Sequence, residues 1–410
     1  MKKLFALVLA VLMVVSMCAC GSSGKKDVET IKIGLAFPMS GTAAMAGKYS
    51  THGADVLKDE LGGKITVGDK EYPVEFVVMD TEGSEEKTTN VYQKLIEEEK
   101  VIAIVGPDSS KCTLAAAPIA QNAKCPAITT FGTNTAVTQV GNYIFRACFI
   151  DPFQGAVAAA YCDQQGYKTA CIMFNNADAY AVGLKDAFVE NFKGEVLAIE
   201  EYSGSDVKDY NVQLTKLAAQ NPDILLLPNL NVELGLQIQQ ARTAGLTCPI
   251  VCGDSADTPD VAKVAGDAIN GVAYVSAFSA ESTDPVAKSF VDAYVRLYPD
   301  ELPNSNAELT YETCKMVVWA IQNAKTLDRE GVRNALDTID GLELPSGKMT
   351  MDPETRNPVK GAVIMQYDAE GVTHYVSTVN PKLMLAMCAG CAFAGQHTFF
   401  TIPEWRKMLW

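Results

Sequence analysis

The feature that most constrains this chain is a repeated alternation. Short apolar runs are closed by glycine or proline and followed by longer stretches with helical spacing. Ile31 to Phe37, Val74 to Met79, Val101 to Val105 and Ala127 to Thr130 read as strands. Helical stretches at Gly47–Leu61, Ser84–Glu98 and Lys111–Asn122 separate them. After Arg146 the pattern resumes. Strands at Thr169–Phe174, Glu195–Tyr202, Asp223–Leu227, Ile250–Cys252 and Val272–Ser276 alternate with helices at Pro152–Gln164, Ala179–Phe192, Asp209–Gln220, Glu233–Ala244 and Pro259–Ala265. Strand and helix alternating at this pitch predict parallel sheets covered by helices, with right-handed crossovers. A third stretch is richer in helix, at Pro285–Tyr298, Asn306–Ala324 and Arg329–Leu336, before short strands at Gly347–Met351, Val359–Asp368 and Val372–Val379. Two α/β units and a mixed tail result, and the late helices are free to belong with the first unit.

The beginning of the chain has a different character. Met1-Lys2-Lys3 is positive, and Leu4 to Met17 carry no charge. That run is shorter than the about 20 residues that cross a bilayer core, and its flanks describe a secretory signal. The about 390 residues that remain exceed one ordinary core. Apolar residues at 48% and charged ones at 20% fit a globular chain. A formal net charge of −15 disfavours nucleic acid as a partner. The cysteines are scattered, many in apolar context, and form no disulfide framework. A lone Cys388–Cys391 pair and histidines only at 52, 374 and 397 give weak grounds for a metal. Walker A, G-x-G-x-x-G, G-x-S-x-G and H-E-x-x-H patterns are all missing, so the expectation is a protein that is not an enzyme and needs no cofactor.

Met17-Cys18-Ala19-Cys20-Gly21-Ser22-Ser23 resembles a bacterial lipobox, with Met17 where leucine is usual. The resemblance implies cleavage of residues 1–19, a lipid on Cys20 (Cys18 being the second candidate) and a tether over 20–27. A single acyl chain anchors only marginally. Further along, Ile33 to Gly41, Val105 to Ser110, Thr133-Asn134, Ile144-Phe145-Arg146, Asp151 to Gly155, Gln239 to Leu246, Gly253-Asp254 and Thr310 to Thr313 together resemble type I periplasmic binding proteins. The branch they resemble is the one serving branched-chain amino-acid ABC transporters. The resemblance implies an α/β fold of two Rossmann-like lobes with parallel-rich sheets, three hinge crossovers and a ligand cleft between the lobes. It assigns 28–147 plus 277–355 to lobe one and 148–276 plus 356–380 to lobe two, and leaves 381–410 as an unexplained apolar extension. It implies hinge closure on an amino acid or related solute, delivery to ABC permease subunits and a place outside the cytoplasm, held to the membrane by the lipid. The alternative is a module of the same fold that presents a small amide or carboxylate to a separate sensor. No apolar run of spanning length follows the fold, so a receptor with its own membrane span is disfavoured.

In open α/β sheets ligands bind beyond the carboxyl ends of the strands, where Ser109-Ser110 precedes a helix. Unpaired N–H groups at a helix start suit a carboxylate. The resemblance gives that task to Ser110, with simple helix capping as the alternative. It carries a hydroxyl contact to Thr133 and a backbone contact to Phe131, whose ring either narrows the pocket or joins the core. Tyr180 covers the ligand, or else is a surface-packed tyrosine. Asp254 meets the ligand's ammonium, unless it is a turn or capping aspartate before Pro259; Asp257 is the fallback. Leu227 to Asn231 lies where a tyrosine is usual, and Asn229 and Asn231 there point to a more polar ligand.

Overall fold

The computed structural model describes residues 29–204 and 206–379. Cys20, Cys18, the tether and the 381–410 extension lie outside the described residues.

The first sheet collects β1 (Ile31–Phe37), β2 (Lys64–Val67), β3 (Lys70–Asp80), β4 (Ala103–Val105), β5 (Ala127–Thr129) and β6 (Ile144–Arg146), in the order β2-β3-β1-β4-β5-β6. All pairs are parallel except the β2–β3 hairpin. β1 is central because only a run apolar on both faces tolerates burial by helices on each side. The second sheet collects β7 (Thr169–Asn175), β8 (Glu195–Tyr202), β9 (Ile224–Leu227), β10 (Ile250–Cys252) and β11 (Ala273–Ser276). After the short antiparallel strands β12 (Leu342–Leu344), β13 (Gly347–Met351) and β14 (Pro358–Val359), β15 (Ala362–Tyr367) and β16 (Thr373–Val379) complete it. Its order is β16-β15-β11-β10-β9-β7-β8, with the last two strands of the chain antiparallel at one edge. The continuous strand expected over 359–368 is therefore two strands, interrupted at Lys360-Gly361.

The chain crosses between the sheets more than once. Past β6 it enters the helix Asp151–Gln165, whose Val157, Ala158 and Cys162 pack under the second sheet. Past β11 it returns: Phe278, Phe290 and Tyr294, with Met316, Val317 and Ile321 of the long helix Ser305–Asn323, share a core with Ile33, Leu35 and Phe37. Close packing at Gly53, where a side chain would collide with the Ala307 backbone, lets that helix lie flat on Ala44–Leu61. β15 then carries the chain back to the second sheet. The result is a two-lobed α/β fold with mixed sheets and several crossovers.

Two buried polar knots sit where the chain crosses. Asp257 accepts hydrogen bonds from the Ser305 backbone N–H (2.9 Å), the Ser305 hydroxyl (2.5 Å), Tyr274 (3.0 Å) and Ser276 (3.3 Å). Glu312 is paired with Lys360, both buried, and also accepts from the Ser346 N–H at 2.7 Å. The eight cysteines among the described residues are all unpaired, and seven are buried. No group of potential metal ligands forms among the described residues.

Candidate functional site

The lobes face each other across a cleft of about 1020 Å³, counting the space open to solvent. It lies beyond the carboxyl ends of β4, β7, β9 and β10, where strand-end loops of a parallel sheet converge. One wall holds Thr42, Ala43, Ala46, Asp108 to Lys111 and Phe131. The other holds Asn175, Asp178, Tyr180, Asn231, Glu233, Asp254 and Ser255.

Ser110 is the first residue of the helix Ser110–Asn122 and is buried. Ser109, at the capping position, makes no side-chain cap hydrogen bond. The helix start therefore presents N–H groups that no Ser109 hydroxyl satisfies. Ser110 Oγ accepts from the Asn134 N–H at 3.1 Å, which leaves its proton to donate.

The loop after β5 is rigid. Arg146, fully buried, donates from Nη1 to Gly132 O (2.5 Å) and from Nη2 to Asn134 O (2.9 Å). Phe131 lines the cleft and at the same time packs with Cys148 and Phe149. Its carbonyl already accepts from the Thr133 N–H at 2.9 Å. Thr133 is not among the cleft-lining residues. It sits fully buried behind the wall, and its Oγ1 has no hydrogen-bond partner among the described residues.

Tyr180 is part of the cleft wall and is not a surface tyrosine; it is 4% exposed. Asp178 caps its helix by accepting from the N–H groups of Tyr180 (3.0 Å) and Ala181 (3.3 Å). The Tyr180 hydroxyl donates to Ser255 Oγ at 3.3 Å, and Ser255 donates to Asn229 O at 2.5 Å.

Asp254 lies in a 3₁₀ turn, Asp254–Ala256, and it does not cap Pro259–Ala265, whose capping position is Thr258. Its N–H donates to Gln154 Oε1 at 2.7 Å, while its buried Oδ2 closes no hydrogen bond of ordinary length among the described residues, although the Tyr180 and Gln154 side chains stand near enough to act on the carboxyl. Burial pushes its carboxyl up to about 7. Asp257, the fallback, is consumed by the knot described above. An acid whose lone pairs are filled by the fold is poorly placed to receive a ligand; one with an empty oxygen is well placed.

Three residues escaped sequence reasoning. Both carboxylate oxygens of Asp151 and the Nε2 of Gln154 are buried without partners among the described residues. Burial pushes Asp151 up to about 8, reinforced by the neighbouring charge of Asp254. Asp151 and Gln154 begin a helix in the sequence, and a helix start offers no separate sign of a site. Gly253 is the third: any side chain there would overlap the Tyr180 hydroxyl. Asn229 corrects an expectation. It is fully buried, donates to Met173 O and Gln237 Oε1 (both 2.8 Å) and accepts from the Asn175 N–H (2.9 Å). It holds the fold behind the wall, whereas Asn231 does line the cleft.

Two lobes joined by several crossovers, with a cleft between them lined by polar strand-end and helix-start residues, define a class of protein that captures a small solute. The family model described as periplasmic binding protein matches residues 30–372, and the chain belongs to that family. The family and fold are those of non-catalytic solute-binding proteins of ABC transport systems. A leucine-binding protein LivK from Thermotoga maritima MSB8 superposes with a TM-score of 0.80 at 30% identity, over 86% of this chain and 99% of that one. The branched-chain amino acid transporter substrate-binding protein LivJ of Streptococcus pneumoniae, solved in complex with isoleucine, gives 0.80 and 30% over 86% of this chain and all of that one. An amino acid binding protein of Pseudomonas aeruginosa is 28% identical over 270 residues, 65% of this chain and 70% of that protein.

Proposed function

We propose that this chain captures an α-amino acid outside the cytoplasm and delivers it to an ABC permease, with the Cys20 lipid keeping it near the membrane. One observation carries the reading. The two walls of the cleft offer, to adjacent groups on one carbon, the opposite chemistries that an α-amino acid needs: Ser110 stands in one wall and Asp254 in the other. At Ser110, a free hydroxyl proton and helix N–H groups without a side-chain cap suit the α-carboxylate. At Asp254, an empty buried oxygen suits the ammonium. Asp151, Thr133 and Gln154 lie behind Asp254 with further unpaired atoms, and Tyr180 closes over the site. The lobes turn as units, 28–147 with 277–355 against 148–276 with 356–380, and the cleft closes because ligand contacts exist only in the closed state. The names of the LivK, LivJ and Pseudomonas relatives support the same class of ligand.

Calorimetric titration of the purified domain with the twenty amino acids tests this. At least one binds in the micromolar range or tighter, and Asp254→Ala weakens it by about two orders of magnitude, the loss of one buried charge-assisted pair. A folded protein that binds none of them refutes the reading. Mass spectrometry of the mature N-terminus tests the anchor, since an unacylated terminus removes it and leaves the cleft standing.

A further inference from the structure

The cleft has a third chemistry besides the two anchoring groups, Ser110 and Asp254. Glu233 stands in its wall, and a buried chain of side chains fixes it from behind. Asn229 donates to Gln237 Oε1 at 2.8 Å, Gln237 Nε2 donates to the Tyr202 hydroxyl at 2.7 Å, and Tyr202 donates to Glu233 Oε1 at 3.1 Å. Asn229, Gln237 and Tyr202 are all buried. Such a chain is costly unless every member is satisfied, and its effect is to hold one carboxylate rigidly at the surface of the cleft. One oxygen is turned to Tyr202; Oε2 accepts no hydrogen bond among the described residues.

Lys111 stands in the opposite wall, on the helix that begins with Ser110. Burial raises the carboxyls of Asp178 and Glu233 and the Lys111 charge offsets part of this, as it does for Asp108 in its own wall, yet Lys111 closes an ion pair with none of the three among the described residues. A cation and a fixed carboxylate thus face each other across the cleft without touching. Each acid has one oxygen taken by two hydrogen bonds, but Asp178 is less available than Glu233, because it is buried whereas Glu233 is half-buried.

Building on the amino-acid reading above, we propose that the cleft selects an α-amino acid whose side chain ends in a neutral primary amide. The amide N–H groups donate to Glu233, and the amide oxygen accepts from Lys111. Its methylenes lie against Ala43, Ala46 and Val232. An aliphatic side chain would strip water from Lys111 and Glu233 and return nothing for it. A carboxylate side chain would meet Glu233 and Asp178 as like charges, and an ammonium side chain would meet Lys111 and Lys208. The primary amide matches a donor on one side and an acceptor on the other with separate atoms on one rigid plane, which neither an aliphatic, a carboxylate nor an ammonium side chain does.

Competition calorimetry on the wild-type domain with glutamine, asparagine, leucine, isoleucine, valine, glutamate and lysine tests the proposal. The result expected is that glutamine or asparagine binds at least tenfold tighter than each of the other five. Leucine, isoleucine or valine binding as tightly as the amides overturns the proposal and leaves the amino-acid reading intact. No binding by any of the seven in a folded protein overturns the proposal, and only a failure of all twenty amino acids overturns the amino-acid reading as well. Glu233→Leu is the second arm. It lowers affinity for the amide at least tenfold and narrows or reverses the preference over leucine. Tyr202→Phe frees Glu233 from its fixed position and lowers amide affinity several-fold with leucine affinity unmoved. Equal losses for amide and leucine in both variants would mark Glu233 as merely structural and overturn its role.

Discussion

The Tyr180 hydroxyl lies so close to Gly253 that a Cβ at position 253 would overlap it, as well as Leu184 and the Gln154 carbonyl. The glycine has an ordinary extended φ of −86°, so the requirement is one of space and not of backbone conformation. Gly253→Ala is therefore expected to push Tyr180 out of the cleft wall and to shift Gln154, which holds the Asp254 N–H. Ligand affinity falls at least tenfold by calorimetry, and urea denaturation shows a loss of about 1–3 kcal/mol, the usual cost of overpacking.

Asp254 and Asp257 stand three residues apart, yet their substitutions should move stability in opposite directions. Asp257 is saturated by Ser305, Tyr274 and Ser276, so Asp257→Ala strands those donors in the interior and costs about 2–4 kcal/mol. Asp254 carries a buried oxygen without a partner, so Asp254→Asn removes a strained charge and raises the melting temperature of the ligand-free protein. The same substitution abolishes most of the stabilisation by ligand. A drop in ligand-free melting temperature for Asp254→Asn would show that the empty oxygen is not the site of stored cost.

Much of this fold was legible because buried parallel strands are continuous apolar runs. Ile31–Phe37 and Ile250–Cys252 have the bounds expected from their residues, as do the edge strand Glu195–Tyr202 and the helix Pro259–Ala265. The misses have physical causes. Lys64–Val67 and the start of β3 are charged and solvent-facing, so their hairpin left no apolar signature; the alternation of exposed and covered residues appears only once the strands pair. Of the candidate residues, Ser110, Phe131, Tyr180 and Asp254, each close after a strand end, do line the cleft. The site was illegible at Asp151, Gln154, Gly253 and Glu233, whose local patterns are those of a helix start or a turn. Asn229 misled for a related reason: an asparagine beside a strand end carries no mark that distinguishes facing the cleft from bracing the wall behind it.

The ligand-free cleft should be destabilised by base. Burial raises Asp254 to about 7 and Asp151 to about 8, both above their value in the unfolded chain. Each is protonated in the folded state over a range where the unfolded chain has lost the proton. Between about pH 4 and pH 8 the folded state then binds more protons, so stability is fully present at the acid end and is lost as pH rises through the folded values. The melting temperature without ligand is expected to fall across that range, with the slope reduced in Asp151→Asn and again in the double variant with Asp254→Asn. An ammonium-bearing ligand ionises the carboxyls as it binds, so affinity rises with pH and protons are released. Titrations in buffers of different ionisation enthalpy measure that release directly.

The buried pair of Glu312 and Lys360 joins the long helix Ser305–Asn323 to the segment that leads back into β15. Burial by itself would raise Glu312, but the Lys360 ammonium, with the hydrogen bond from the Ser346 N–H, brings it below the usual range. Glu308, one turn earlier on the same helix, is raised well above its ordinary value by burial and by the neighbouring Glu312. Removing the cation alone leaves two carboxyls in a dry interior. Lys360→Met is therefore expected to cost about 3–5 kcal/mol, whereas replacing the pair together, as Lys360→Met with Glu312→Leu, recovers most of that loss, because the interior then holds no uncompensated charge. Urea denaturation of the wild type, both single variants and the double variant forms the cycle that measures the coupling. Because the pair sits at a crossover between the sheets, the double variant also reports on closure. If the ion pair only fixes the packing, ligand affinity survives in the double variant; if it sets the balance between open and closed lobes, affinity changes while stability does not.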